Sequence, residues 1–177
     1  MLSAGIKFKN FVKNKKNEKI QKEFQSIIKE KNYVLDSLRN SYKNFFSEKK
    51  IKKFKKLSNI KIIGMGGSVL GTQAICDFLT KKIKKNVLFI NNLQSNQTTN
   101  QKQKFLNLVV SKSGNTIETI VNANIHIKKN EKNIFITENK KNYLNSLAHK
   151  LKAEIIHHHN FIGGRYSVLS EVGMLPA

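Results

Sequence analysis

Residues 108–119 read LVVSKSGNTIET. The apolar run Phe105, Leu106, Leu108, Val109, Val110 leading into them predicts a buried strand. It breaks into Ser111, Lys112, Ser113, Gly114, Asn115 and Thr116, a turn rich in hydroxyls with one glycine. Helical spacing resumes at once through Ile117, Ile120, Val121 and Ile125. A strand that feeds a helix through such a turn gathers backbone N–H groups, hydroxyls and the positive end of the helix dipole at one point. The ligand such a point favours is an anion, above all a phosphate monoester. An ordinary N-cap with Glu118 in the first turn is the competing reading. Three hydroxyls, on Ser111, Ser113 and Thr116, exceed what one cap needs.

On either side of this stretch, strand and helix alternate. Residues 60–63, 87–90, 105–110, 133–137 and 155–157 read as strands, and 71–83, 116–128 and 141–152 as helices. Residues 91–103 are polar and partly helical in pattern. Five strands alternating with helices predict an α/β three-layer sandwich with a five-stranded parallel sheet covered on both faces. Ligands of such sheets sit beyond the carboxyl ends of the strands. Upstream, Ile20, Phe24, Ile27, Ile28, Leu35, Leu38, Tyr42, Phe45 and Phe46 fall mostly at helical steps in a lysine-rich region. The expected organisation is therefore an N-terminal helical region, residues 1–57, laying its apolar face on a sheet domain of residues 58–177.

Composition narrows the setting. The 177 residues suit one domain with a proper core, and a single cysteine, Cys76, excludes an internal disulfide and fits a reducing compartment. No signal-peptide core or membrane span is legible, so a cytoplasmic protein without membrane association is expected. The formal charge of +22 raises the question of nucleic acid. Nearly all of it is lysine spread along the chain, with Arg39 and Arg165 the two arginines, although arginine is the preferred tool for bidentate phosphate and guanine recognition. A solvated basic surface with no nucleic-acid partner is therefore expected.

Two further stretches flank the proposed ligand. After the first strand comes GMGGSVLG, residues 64–71, which lets backbone approach a ligand closely and turn into a helix. It lacks a third glycine at Val69, and Asn91 and Asn92 stand where an acid would close the second strand, so a dinucleotide site is not expected. No Walker loop is present either. Residues 161–176, FIGGRYSVLSEVGMLP, place Arg165 directly after Gly163 and Gly164, beyond the end of the last strand. A cation there is placed to face a ligand, or it is a surface arginine in a flexible turn. His157, His158 and His159 suggest metal ligands, but strand alternation lets at most His157 and His159 converge, and no CxxC or HExxH pattern supports a metal.

With these stretches placed, the sequence resembles the glucose-6-phosphate isomerase family of the sugar-isomerase fold. GMGGSVLG is similar to its first glycine loop, SKSGNTIET to its phosphate loop, and GGRYSVLSEVGMLP to its arginine signature, in matching order and spacing. The resemblance implies that Ser111, Lys112, Ser113 and Thr116 hold the sugar phosphate, that Gly67 and Ser68 line the sugar, and that Gly164 and Arg165 face the reacting carbons. It also implies interconversion of glucose 6-phosphate and fructose 6-phosphate through an enediolate, without cofactor or metal, with Arg165 stabilising the developing charge. The pattern departs from the family at Ser113 and Asn115, where threonine is usual, and at Val69, where a polar or aromatic residue is usual. Family members continue into a second sugar-isomerase domain that carries the carboxylate base, and they are typically homodimers. An N-terminal piece that does not isomerise alone is the corresponding expectation for this chain. A stand-alone sugar-phosphate-binding regulatory module is the alternative; such a module has no need of the arginine signature.

Overall fold

The computed structural model describes residues 17–93, 104–128 and 130–176. The helical readings over 6–16 and 94–103 lie outside the described residues. Along the chain the elements are α1 (Glu18–Lys29), α2 (Tyr33–Asp36), α3 (Glu48–Lys52), β1 (Asn59–Gly64), α4 (Leu70–Phe78), β2 (Asn86–Ile90), β3 (Leu106–Val110), α5 (Ile117–His126), β4 (Lys132–Glu138), α6 (Tyr143–Lys150), β5 (Glu154–His158) and α7 (Glu171–Met174). Short 3-10 turns occupy Gly66–Ser68 and Gly164–Leu169.

The five strands form one parallel sheet in the order β2-β1-β3-β4-β5. β3 is central and all five of its residues are buried, which is why it runs apolar except at Asn107, whose amide donates to Glu131 and Asn133. Successive side chains nevertheless divide between two cores. Ile60, Ile62, Leu106, Leu108, Val110, Ile134, Ile136 and Ile156 face one side, with Phe54, Val69 and Val172. Ile63, Ile90, Val109 and Phe135 face the other, where Ala123 of α5 and Leu144 and Ala148 of α6 cover them.

Buried polar groups brace the amino ends of the strands. Lys61, fully buried on β1, donates from Nζ to the carbonyl of His126 at 3.0 Å, capping the last turn of α5. Burial is the main cause that lowers the Lys61 pKa, with the Lys128 charge adding to it and Glu131 opposing.

The N-terminal region differs from the expectation of one apolar face laid on the sheet. Phe46, Phe54 and Leu57 do reach the core. Helix α1 buries none of its residues, and its apolar stripe of Ile20 (66% exposed), Phe24 (60%), Ile27 and Ile28 faces solvent. The helix is well formed: Asn17 caps its first N–H groups, and Arg39 Nη2 donates to the carbonyls of Ile28 and Glu30 at 3.0 and 3.2 Å. Periodicity sets which face of a helix is apolar, and tertiary geometry decides what that face meets. No helix among the described residues is long and apolar enough to cross a membrane.

Candidate functional site

β1 has β2 on one side and β3 on the other, so successive connections leave in opposite directions at the β1/β3 boundary. Such a reversal opens a crevice at the carboxyl ends of the two strands. Gly64 and Val110 pair in register there, so the glycine loop and the hydroxyl turn begin side by side.

The hydroxyl turn closes on itself. Thr116 is the N-cap residue of α5, yet its side chain makes no capping hydrogen bond. Its Oγ1 lies instead 3.0 Å from Ser111 Oγ and 3.5 Å from Ser113 Oγ, while Ser113 Oγ accepts from the N–H of Asn115 at 3.3 Å. The first turn of α5 therefore has no side-chain cap at the spot where three hydroxyls converge. Hydroxyls and dipole together favour an anion there.

Gly114 makes this geometry possible. Its φ of +66° lies in the left-handed region, and a Cβ there would come within 2.2 Å of the Asn142 side chain. Asn142 in turn accepts from Asn145 N–H at 2.8 Å, capping α6, and donates to Thr137 Oγ1 at 3.2 Å. Gly114→Ala should therefore cost about 2 kcal/mol or more, the strain of a left-handed alanine plus displacement of the α6 cap. Urea denaturation of the variant and wild-type proteins measures it.

Lys112 does not project freely from the turn. Its Nζ lies 3.6 Å from Glu138 Oε1, and its carbonyl accepts from Glu138 N–H at 3.0 Å and Thr137 Oγ1 at 3.2 Å. Glu138 is the last residue of β4 and is 7% exposed.

The second wall is built by backbone contact between glycines 97 positions apart (164 less 67). A Cβ on Gly67 would stand 2.4 Å from the carbonyl carbon of Gly164, so nothing larger than glycine fits at 67 without moving the turn that carries Arg165. Ser167 Oγ donates to Gly164 O at 2.8 Å and lies 3.3 Å from Gly67 O, tying the same two turns. Thr72 Oγ1 donates to Val172 O at 3.1 Å and fixes α4 to α7. Arg165 is exposed, its guanidinium 5.9 Å from the Tyr166 ring centroid, and it forms no ion pair among the described residues. Gly67, Ser68, Gly164 and Arg165 thus form one group, and Ser111, Ser113 and Thr116 form another on the adjacent strand.

The histidine run has a different role from the one its sequence suggests. His158 is buried, with Nδ1 2.6 Å from Glu171 Oε1 and Nε2 3.0 Å from Ile162 O. Both ring nitrogens face oxygen atoms, one of a carboxylate and one of a backbone carbonyl. Tyr42 Oη donates to the other carboxylate oxygen of Glu171 at 3.1 Å. Burial pushes the Glu171 carboxyl upward, but its hydrogen bond to His158, its own backbone N–H, the His158 charge and the Tyr42 hydroxyl together hold it below the usual carboxylate range. Burial, then the charge and hydrogen bond of Glu171, push the Tyr42 phenol above its ordinary value. His159 stacks on Phe161 at 4.6 Å and lies 4.3 Å from Phe45; burial is the main cause lowering its pKa, the His158 charge adding to it and the Glu171 charge opposing. Among the described residues no group of three or more histidine, cysteine or acidic side chains could hold a metal ion. In sequence, Glu171 reads only as a first-turn acid behind the Ser170 cap. Its partner Tyr42 is 129 residues away, a pairing that no local pattern signals.

This sheet order, with the glycine loop and the hydroxyl turn at the β1/β3 switch, fits one class: an α/β domain of the sugar-isomerase fold. A hypothetical protein from Thermus thermophilus superposes with a TM-score of 0.65 at 19% identity over 90% of this chain and 42% of its own. The tagatose-6-phosphate ketose/aldose isomerase from Escherichia coli does so with a TM-score of 0.57 at 16% identity, over 73% of this chain and 39% of its own. The chain belongs to the phosphoglucose isomerase family, whose profile matches residues 9–177. The glucose-6-phosphate isomerase of Methanocaldococcus jannaschii is 34% identical over 150 residues, 76% of this chain and 37% of the relative. The chain spans about a third of the length of the curated relatives it matches.

Proposed function

We propose that this chain carries the phosphate-binding and charge-stabilising part of an aldose–ketose isomerase site that interconverts glucose 6-phosphate and fructose 6-phosphate. The observation that carries the reading is the convergence of Ser111, Ser113 and Thr116 hydroxyls on the uncapped amino end of α5. In this reading the phosphate dianion accepts from those hydroxyls and from first-turn N–H groups, with Lys112 adding charge. Gly67 and Ser68 line the sugar, and the Gly164 turn brings Arg165 to the carbons between which the proton moves. Negative charge grows on the C1–C2 oxygens as the enediolate forms, and a fixed guanidinium stabilises it more in the transition state than in the ground state. Glu171 takes no part in proton transfer, because it is fully buried and bonded through both oxygens. The reaction is internal to the sugar and calls for no cofactor. The single cysteine, Cys76, is free, which suits a cytoplasmic setting. An exposed arginine with no ion-pair partner among the described residues favours an enzyme over a sensor that only holds the phosphate.

The test is titration calorimetry with glucose 6-phosphate and with inorganic phosphate. The double variant Ser113→Ala/Thr116→Ala should bind about 1–3 kcal/mol more weakly, the worth of a few hydrogen bonds to a charged group. Unchanged affinity would show that the turn is an ordinary helix start.

A further inference from the structure

Lys112 is held by a partner that is itself held by another. Glu138 is a buried carboxylate whose two oxygens are divided between two lysines. Its Oε2 is 2.5 Å from Lys140 Nζ, a close ion pair. Its Oε1 is 3.6 Å from Lys112 Nζ, beyond hydrogen-bonding reach. The backbone holds both ends of this arrangement. Glu138 N–H donates to Lys112 O at 3.0 Å, and Lys140 O accepts from Asn142 Nδ2 at 3.1 Å and Asn145 Nδ2 at 2.6 Å.

We propose that Glu138 and Lys140 act as positioning residues that park Lys112 beside the hydroxyl turn and release it to an arriving phosphate. The inference rests on the phosphate reading of residues 111–116. The physical point is the cost of the exchange. A buried carboxylate that loses its cation is left uncompensated, a heavy penalty in a low-dielectric site. Were Lys112 the sole partner of Glu138, the phosphate would have to overcome that penalty to recruit it. Lys140 removes the penalty, because the tighter of the two contacts remains when Lys112 swings away. The loosely held cation is the one nearest the ligand, and the firmly held one stays with the carboxylate. Two lysines on one carboxylate also leave a net positive charge beside the turn.

Titration calorimetry of glucose 6-phosphate and inorganic phosphate on the intact protein, at fixed ionic strength, tests this with three variants and a control. Lys140→Ala should weaken binding about tenfold, since Glu138 then competes with phosphate for Lys112. Glu138→Gln should bind at least as tightly as wild type. Glu138→Gln/Lys140→Ala should return to within about twofold of Glu138→Gln, because no buried charge remains to be abandoned. Lys140→Arg, which keeps the cation, should stay near wild type and separates loss of charge from loss of structure. In turnover, Lys140→Ala should raise KM by the same factor with kcat within about twofold. Unchanged affinity in Lys140→Ala overturns the relay. So does a loss that persists in the double variant, which would make Lys140 a direct phosphate contact. If Ser113→Ala/Thr116→Ala leaves wild-type affinity intact, the phosphate reading itself has failed, an outcome separate from either of these.

Discussion

Arg165→Lys, made in the intact protein, should lower kcat for fructose 6-phosphate formation by about 10²–10³-fold while KM stays within about threefold. The size is that of removing one preorganised charge-stabilising group from a transition state. The split follows from where the group acts. In the proposed function residues 111–116 hold the phosphate end of the substrate, so ground-state affinity should depend little on residue 165. A lysine keeps the charge but loses the planar fork that can address two neighbouring oxygens together. The backbone contact between Gly67 and Gly164 supplies an independent check. Gly67→Ala puts a methyl where Gly164 carbonyl atoms stand, with a Cβ-to-carbon distance of 2.4 Å, so the Arg165 turn must shift. That variant should also lose kcat, although the arginine itself is intact. Coupled steady-state kinetics measure both. A raised KM with unchanged turnover in Arg165→Lys would make Arg165 a binding residue.

Much of the architecture was legible in sequence because it depends on local chemistry. The five observed strands match the expected ones within a residue or two at each end, since buried apolar runs bounded by glycine, asparagine and lysine leave little choice. The hydroxyl turn was legible for the same reason: strand, polar turn and helix follow one another without a gap. Helix ends were read less well. α4 ends at Phe78, where Leu79 leaves helical geometry, although the apolar pattern continues to Ile83. What escaped entirely depends on topology. Lys112 meets Glu138 because β3 and β4 are neighbours, and the 25 positions between them carry no signal of it. The exposed stripe on α1 is the converse case, a clear amphipathic pattern whose partner the pattern does not name. The histidine run was set aside as a metal site in sequence, but its actual use was not legible: the structure buries the middle one between Glu171 and the carbonyl of Ile162.

That histidine leads to the second large effect. Glu171→Ala should destabilise the protein by about 3–5 kcal/mol, because it leaves the buried His158 ring without its carboxylate partner and Tyr42 without an acceptor. Glu171→Gln keeps one acceptor oxygen and turns the other position into an N–H donor, from which the Tyr42 hydroxyl can accept, so it should cost clearly less. The pH dependence has a definite sign. The folded state holds the Glu171 carboxyl below its ordinary value, so between the folded and unfolded pKa values the unfolded chain binds the extra proton. The stability this supplies is complete above the ordinary glutamate range of about 4.3 and drains away as pH falls through the lower folded value. Wild-type stability should therefore drop on acidification below about pH 4–5 more steeply than that of Glu171→Gln, whose amide does not titrate. Urea midpoints taken across this range decide the matter, and parallel acid limbs in the two proteins would remove Glu171 as a source of stability. The consequence for the site is positional. Glu171 opens α7, and Ser170 Oγ links that helix back to Ser167 at 2.6 Å, in the turn that carries Arg165. Loosening the buried pair should therefore lower kcat of the folded fraction as well as its population. The turn that carries Arg165 is thus tied twice, to α7 through Ser170 and to the glycine loop through the contact of Gly67 with Gly164.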